Sequence, residues 1–259
     1  MIKAVLFDLD DTLIDWSQRE EIDWEAFHRQ RLRAVYDLVA AEGYSLPDFE
    51  VLADQYAQMT LAAWTEANRT LEAPHLGRVL AEVFRQHGVP TEGRDLTPWL
   101  RAYGSPVIPG VRVFPEVPAV LEMLRQHHLH LGIVTNAYQP MWMRDGELAA
   151  LGLPPDLFAL RASAADVGVL KPHPAIFQHA LEGLGVRPDE AVFVGDNLAA
   201  DVAGAQQTGM RAIQRVTPAA APAPDIRPDA AVHSLAELLP LLDDWYPGWR
   251  NGATPHRRP

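Results

Sequence analysis

The chain has no cysteine among its 259 residues. That excludes disulfides, thiolate zinc sites and cysteine nucleophiles, and it is compatible with a reducing compartment. No stretch approaches the roughly 20 consecutive apolar residues that span a bilayer. The N-terminus, MIKAVLFDLD, has neither a basic region nor an apolar segment followed by a small-residue cleavage site, so the expectation is a cytoplasmic protein with no signal peptide and no membrane contact. Basic residues are scarce: 22 Lys and Arg against 34 Asp and Glu give a formal charge of −12. Such a surface does not suit nucleic acid, whose binding needs clustered cations to displace counterions, whereas surplus carboxylates suit a hard cation. The GxxxxGK[ST] nucleotide loop, the GxGxxG fingerprint and the GxSxG elbow are all missing.

What is present is enough apolar sequence, 48%, to build a large core. Residues 3–9 read as a short buried strand. Roughly 90 residues of helical periodicity follow, with Trp24, Phe27, Arg31, Ala34, Val35, Leu38 and Val39 at three- and four-residue spacing and further helices near 48–67, 75–87 and 95–103. GSPVIPG, residues 104–110, breaks the pattern. Beyond it helix and strand alternate: helices at 116–127, 141–151, 174–184 and 199–208, strands at 130–135, 158–163, 190–195 and 210–214. Such alternation implies parallel strands joined by crossover helices. The four prolines of TPAAAPAPDIRPDA, residues 217–230, indicate an extended surface connection, and NGATPHRRP reads as a disordered end.

Four segments end apolar runs with polar groups: VLFDLDDTL (5–13), LGIVTNA (131–137), VGVLKPHPAIF (167–177) and AVFVGDNLAADVAGA (191–205). Asp8 and Asp10, two residues apart on an extended backbone, leave the same face of the first strand at its carboxyl end, where open parallel sheets bind ligands. Taken alone, DLDDT is also a good turn and capping sequence. Lys171 is held before a helix by Pro172 and Pro174. Asp196 and Asp201 sit five apart at a strand-to-helix turn and can converge on one cation, although Asp196 or Asn197 could equally cap that helix.

In order and content the four segments resemble the motifs of the haloacid dehalogenase-like superfamily, whose members are mostly phosphatases working through an aspartyl-phosphate. The resemblance covers nearly the whole chain. It implies an α/β fold, a doubly wound, mostly parallel Rossmann-like sheet, with an all-helical cap inserted between the first and second motifs. The core would be residues 1–14 and 106–244, the cap 15–105 and the tail 245–259. The cap would act as a mobile lid, hinged near Asp15 and between Ser105 and Gly110. By the same resemblance Asp8 is the nucleophile and Asp10 the general acid and base. Thr135 and the amide of Asn136 would donate to a phosphoryl oxygen, and Lys171 would neutralise charge on the transferring group. Mg²⁺ would be held by Asp8, the Asp10 carbonyl and Asp196, with Asp201 orienting them from behind.

The implied activity is Mg²⁺-dependent hydrolysis of a small phosphorylated metabolite, by a monomer or a homodimer. Dehalogenation of a 2-haloacid and phosphosugar mutation start from the same aspartate, but Asp10 and Asp196 weigh against the first. A non-catalytic binding protein would be expected to have lost one of Asp8, Asp10, Lys171 or Asp196. Trp16, where the chain leaves for the cap, and Trp142, just after the second motif, are candidate substrate contacts as well as candidate packing residues. His127, His128 and His130 resemble a metal cluster only by composition, and their place between a helix end and a strand start favours dipole and surface roles.

Overall fold

In the computed structural model, residues 1–18, 22–218 and 223–251 are described. The strands are β1 (Ala4–Phe7), β2 (Ile14–Asp15), β3 (Arg112–Val113), β4 (His130–Thr135), β5 (Leu160–Ser163), β6 (Ala191–Gly195), β7 (Arg211–Arg215) and β8 (Ala230–Val232). The helices are α1 (Trp24–Ala41), α2 (Phe49–Thr70), α3 (Leu76–Arg85), α4 (Thr97–Tyr103), α5 (Val117–Gln126), α6 (Met141–Ala150), α7 (Ala164–Val167), α8 (Pro174–Leu184), α9 (Gly204–Gln207) and α10 (Leu238–Trp245).

Six strands form one parallel sheet in the order β5-β4-β1-β6-β7-β8. The first strand lies in its interior because its four residues, AVLF, are buried on both faces. Val5 and Phe7 enter one apolar layer with α5 and α10, while Ala4 and Leu6 enter the other with α8. In the second layer Phe177 and Phe193 meet edge to face with ring centroids 5.1 Å apart. The chain adds β4 and β5 on one side of β1 and then β6 to β8 on the other, so the carboxyl end of β1 lies at a topological switch point, the usual ligand crevice of such sheets.

Helices α1 to α4 form a separate layer around their own apolar cluster, in which Leu32, Val35, Leu52, Leu80, Phe84 and Trp99 are buried. Local chemistry sets the helix limits. The Asp23 and Asp48 side chains accept the backbone N–H groups of Ala26 and Glu50 and open α1 and α2. In α3, Leu76, Val79, Leu80, Val83 and Phe84 recur at three- and four-residue spacing and are all buried.

The inserted layer is tied to the sheet domain by backbone hydrogen bonds. Leu170 N–H donates to Leu71 C=O at 2.8 Å, Ala73 N–H to Gly168 C=O at 2.9 Å, and Leu76 N–H to Tyr138 C=O at 2.7 Å. These bonds anchor it to the loop that carries Lys171 and to the segment just after Thr135.

The structure adds local detail at the chain crossings, after the proline-rich connection and at the C-terminus. Where the chain leaves the sheet domain and returns to it, β2 and β3 pair antiparallel, and Arg112 donates to Asp15 at 3.0 Å. The proline-rich connection ends in a sixth strand, β8, which two-sided packing could not announce because it has only three residues. The segment assigned to a tail from residue 245 is docked as far as residue 251, since Trp249 is buried, donates to Asp243 at 2.8 Å and stacks edge-on with His127. The disordered end expected over residues 251–259 lies outside the described residues except for Asn251, which closes a short helical turn. Among the described residues no helix is long and apolar enough to cross a membrane.

Candidate active site

The four segments converge at the carboxyl ends of β1, β4 and β6. Asp8 follows β1 and is 7% exposed, and its backbone N–H bonds the Val194 carbonyl at 2.8 Å. Lys171, 3% exposed, places its ammonium 2.5 Å from Asp8 Oδ1, 2.7 Å from Asp201 Oδ1 and 2.8 Å from the Val134 carbonyl. Asn136 holds the lysine in place. Its Oδ1 accepts the Lys171 N–H at 2.7 Å and its Nδ2 donates to the Lys171 carbonyl at 3.1 Å. The side chain of a residue expected at the substrate is therefore engaged in positioning Lys171.

Asp201 is buried within a wide, π-helical turn, Leu198–Ala203, where a regular helix was expected. Asn197 Oδ1 caps both Ala199 N–H and Ala200 N–H, and Asp201 Oδ2 returns to accept Asn197 N–H at 3.0 Å. Gly195 permits this approach, since a Cβ there would collide with the Asp201 carboxylate.

Carboxylate oxygens of Asp8, Asp196 and Asp201 all lie within 4.8 Å of one another. Burial raises the Asp8 pKa well above the usual carboxylate range, and Asp201, Asp10 and Asp196 add to this while Lys171 opposes it. Asp196 is pushed up to about 7 by burial and by the charges of Asp201 and Asp11. Burial disfavours the Lys171 ammonium, but Asp201 and Asp8 outweigh it and raise the pKa above that of free lysine. One ammonium thus faces three crowded carboxylates. This donor set, all oxygen and in excess of its counter-charge, fits a hard divalent cation. Asp8 and Asp196 suit the ligand role, because Asp201 already has Lys171 and the Asn197 N–H as partners.

Asp10 sits beside this cluster, half-buried. Its Oδ1 accepts Trp16 Nε1–H at 2.9 Å and Arg144 Nη2–H at 2.6 Å, and Thr135 Oγ1 lies 3.5 Å from its Oδ2. Arg144, on α6, was not singled out from the sequence. It is 6% exposed and forms an ion pair through Nε with Glu147, 3% exposed, at 3.1 Å, without directed hydrogen-bond geometry. Burial raises the Glu147 pKa against the pull of Arg144. The available signal was the Arg144 and Glu147 pair three residues apart in a short helix directly after the second segment. Trp142, by contrast, faces outward from α6 at 46% exposure, with Arg101 lying 6.0 Å over its ring.

The haloacid dehalogenase-like hydrolase family model matches residues 2–209. The chain belongs to that family. It is 31% identical over 264 residues to the phosphoserine phosphatase of Thermus thermophilus, covering 92% of this chain and 98% of that one. It is 29% identical over 211 residues to the glyceraldehyde 3-phosphate phosphatase of Methanopyrus kandleri, covering 81% and 82% respectively. Among solved structures, a 2-haloacid dehalogenase from Pseudomonas syringae superposes with a TM-score of 0.63 at 31% identity, covering 95% of this chain and all of that one, 100%. The hydrolase fold and the convergence of the four segments therefore agree, with Asp8, Asp10, Thr135, Lys171, Asp196 and Asp201 gathered at one end of the sheet.

Proposed function

We propose that this hydrolase cleaves phosphate monoesters of small metabolites through an aspartyl-phosphate on Asp8, with Mg²⁺ as the metal. The observation that carries the reading is the cluster itself. A buried ammonium touches Asp8 and Asp201, Asp196 lies within the same few ångströms, and Asp10 stands alongside with separate donors. Two carboxylates held in different surroundings at one site are suited to nucleophilic and acid-base roles respectively.

In the proposed sequence an Asp8 oxygen attacks phosphorus and the ester P–O bond breaks as Asp10 gives its proton to the departing oxygen. Asp10 then takes a proton from water, whose oxygen attacks the phosphorus of the acyl phosphate. Inorganic phosphate leaves and the Asp8 carboxylate is restored. Lys171 fixes one Asp8 oxygen and offsets charge on the transferring group. Asp8, the Asp10 carbonyl and Asp196 would hold Mg²⁺, which supplies positive charge to the phosphoryl oxygens. Asp201 holds Lys171 from behind, and the helical insertion acts as the cap over the site.

The likeness to a 2-haloacid dehalogenase supports a second reading, in which the same aspartate attacks carbon. Phosphate release from a panel of phosphorylated metabolites with Mg²⁺, run beside chloride release from 2-chloropropionate, separates the two. Phosphate release abolished by Asp8→Asn is the expected result. Faster dechlorination than any ester cleavage would overturn the proposal.

A further inference from the structure

The helical insertion carries a solvent-open cavity of about 700 Å³ between α1 and α2. That volume lies within the roughly 300–1,000 Å³ of pockets that hold drug-sized ligands, and a serine or triose would fill only a fraction of it. Its walls are largely apolar and aromatic, formed by Trp24, Leu32, Tyr56, Trp64 and, from the sheet domain, Tyr138. Trp64 and Tyr138 lie with ring centroids 6.0 Å apart.

The cavity is linked to Asp10 through one intervening aromatic side chain. Trp24 stacks on Trp16 with centroids 5.9 Å apart and planes at 20°, and Trp16 donates its indole N–H to Asp10 at 2.9 Å. Tyr138 is three residues beyond Thr135 in the chain. One wall is therefore a single ring away from the group that would protonate the leaving oxygen.

The charges around the cavity do not favour an anionic guest. Arg29, the one lysine or arginine among the described residues that line it, is taken up by Glu25 at 3.0 Å, Asp54 at 2.7 Å and Glu50. His28 is 2.9 Å from the Tyr103 hydroxyl, and burial, with Arg31 nearby, lowers its pKa and favours the neutral ring. Glu25 and Asp54 complete an acidic rim. Thr60, also in the lining, has a buried hydroxyl with no partner, available to one polar group of a guest.

We propose that this cavity binds the leaving group of the substrate, and that the leaving group is a bulky, uncharged aromatic alcohol rather than a small carboxylated or polyhydroxylated one. The proposal rests on the phosphatase reading of Asp8 and Asp10. It differs from what the names of the two phosphatase relatives would suggest, because their alcohols are small and polar.

The test uses esters matched in the reactivity of the departing alkoxide: 2-(2-naphthyl)ethyl phosphate against ethyl phosphate, with O-phosphoserine as a charged comparison. Burial of the naphthyl ring should raise kcat/KM over ethyl phosphate by about 30-fold or more. Ala57→Trp, at an exposed lining position, should bring the ratio close to one, and Trp64→Ala should lower it without crowding the cavity. Calorimetry with 2-(2-naphthyl)ethanol reads the cavity independently of turnover, and should show binding that Ala57→Trp removes. If no ester is cleaved yet the alcohol binds and Ala57→Trp abolishes it, the phosphatase reading fails and the aromatic pocket stands. Ester cleavage with a naphthyl-to-ethyl ratio near one, or no binding of the alcohol to the unsubstituted protein, would overturn the pocket. If Ala57→Trp does not fold, as read by circular dichroism, the unsubstituted protein and Trp64→Ala decide it by the same two criteria.

Discussion

Replacing Arg144 by methionine removes a buried guanidinium while keeping a chain of similar length. Glu147, itself 3% exposed, then loses the ion partner 3.1 Å away, one of its oxygens already having no hydrogen-bond partner. Breaking a buried pair from one side costs about 3–5 kcal/mol, which for a chain of this size lowers the unfolding midpoint by roughly 6 to 20 °C. The loss should depend on pH. Burial already raises the Glu147 pKa, and without Arg144 it rises further. A carboxyl with a raised folded-state pKa contributes stability that is complete below its unfolded pKa and is lost as pH climbs through the folded value. The penalty of Arg144→Met should therefore be small near about pH 5 and large near about pH 8. Arg144→Met with Glu147→Leu should recover most of the stability, because Glu147 no longer leaves an unpaired buried charge. Turnover should stay low in both variants, since Asp10 loses the donor that stands 2.6 Å from its Oδ1. Thermal unfolding followed by circular dichroism across this pH range gives the answer. A single variant as stable as the parent near about pH 8, or a double variant no more stable than the single one, would refute the reasoning.

In the metal-free protein, the Asp196 pKa of about 7, against an ordinary 3.8, means that stability falls as pH rises across that interval. Added Mg²⁺ should flatten the fall, and an unfolding midpoint that is equally pH-dependent with and without Mg²⁺ would count against a cation at Asp196. Gly195→Ala pushes the Asp201 carboxylate away from Lys171 and the Asn197 N–H, so activity or Mg²⁺ affinity should drop roughly 10 to 100-fold. Titration of phosphate release with Mg²⁺ checks this. Trp16→Phe removes one hydrogen bond to Asp10 and should lower kcat about 5-fold, most for esters whose alcohols leave poorly. Equal losses across a leaving-group series would show that Trp16 acts through packing alone.

Periodicity and motif order were enough to place much of this molecule. The alternation after residue 106 gave the parallel sheet, because crossover helices leave strands buried on both faces and therefore continuously apolar. The helical spacing from Trp24 to Val39 identified a layer that needed its own core. Asp8 and Asp196 were recognisable because each follows a strand, where backbone direction alone carries a side chain to one edge of the sheet, Asp201 by its spacing from Asp196, and Lys171 because Pro172 and Pro174 hold it before a helix. Three kinds of feature lay beyond the sequence. The short strands β2, β3 and β8 carry too few residues for any period to register, and they exist because a partner strand is already in place. The engagement of Asn136 with Lys171, and of Arg144 with Asp10, joins residues separated by 35 and 134 positions, distances that only the closed sheet brings to hydrogen-bonding range. The cavity between α1 and α2 belongs to neither helix: its volume, its acidic rim and its aromatic walls follow from how two helices and Tyr138 meet. Sequence determines which side chains are available at the strand ends, since alternation along a strand is a local property. The guest that the insertion accepts is decided by tertiary packing, since a cavity is the space that packing leaves.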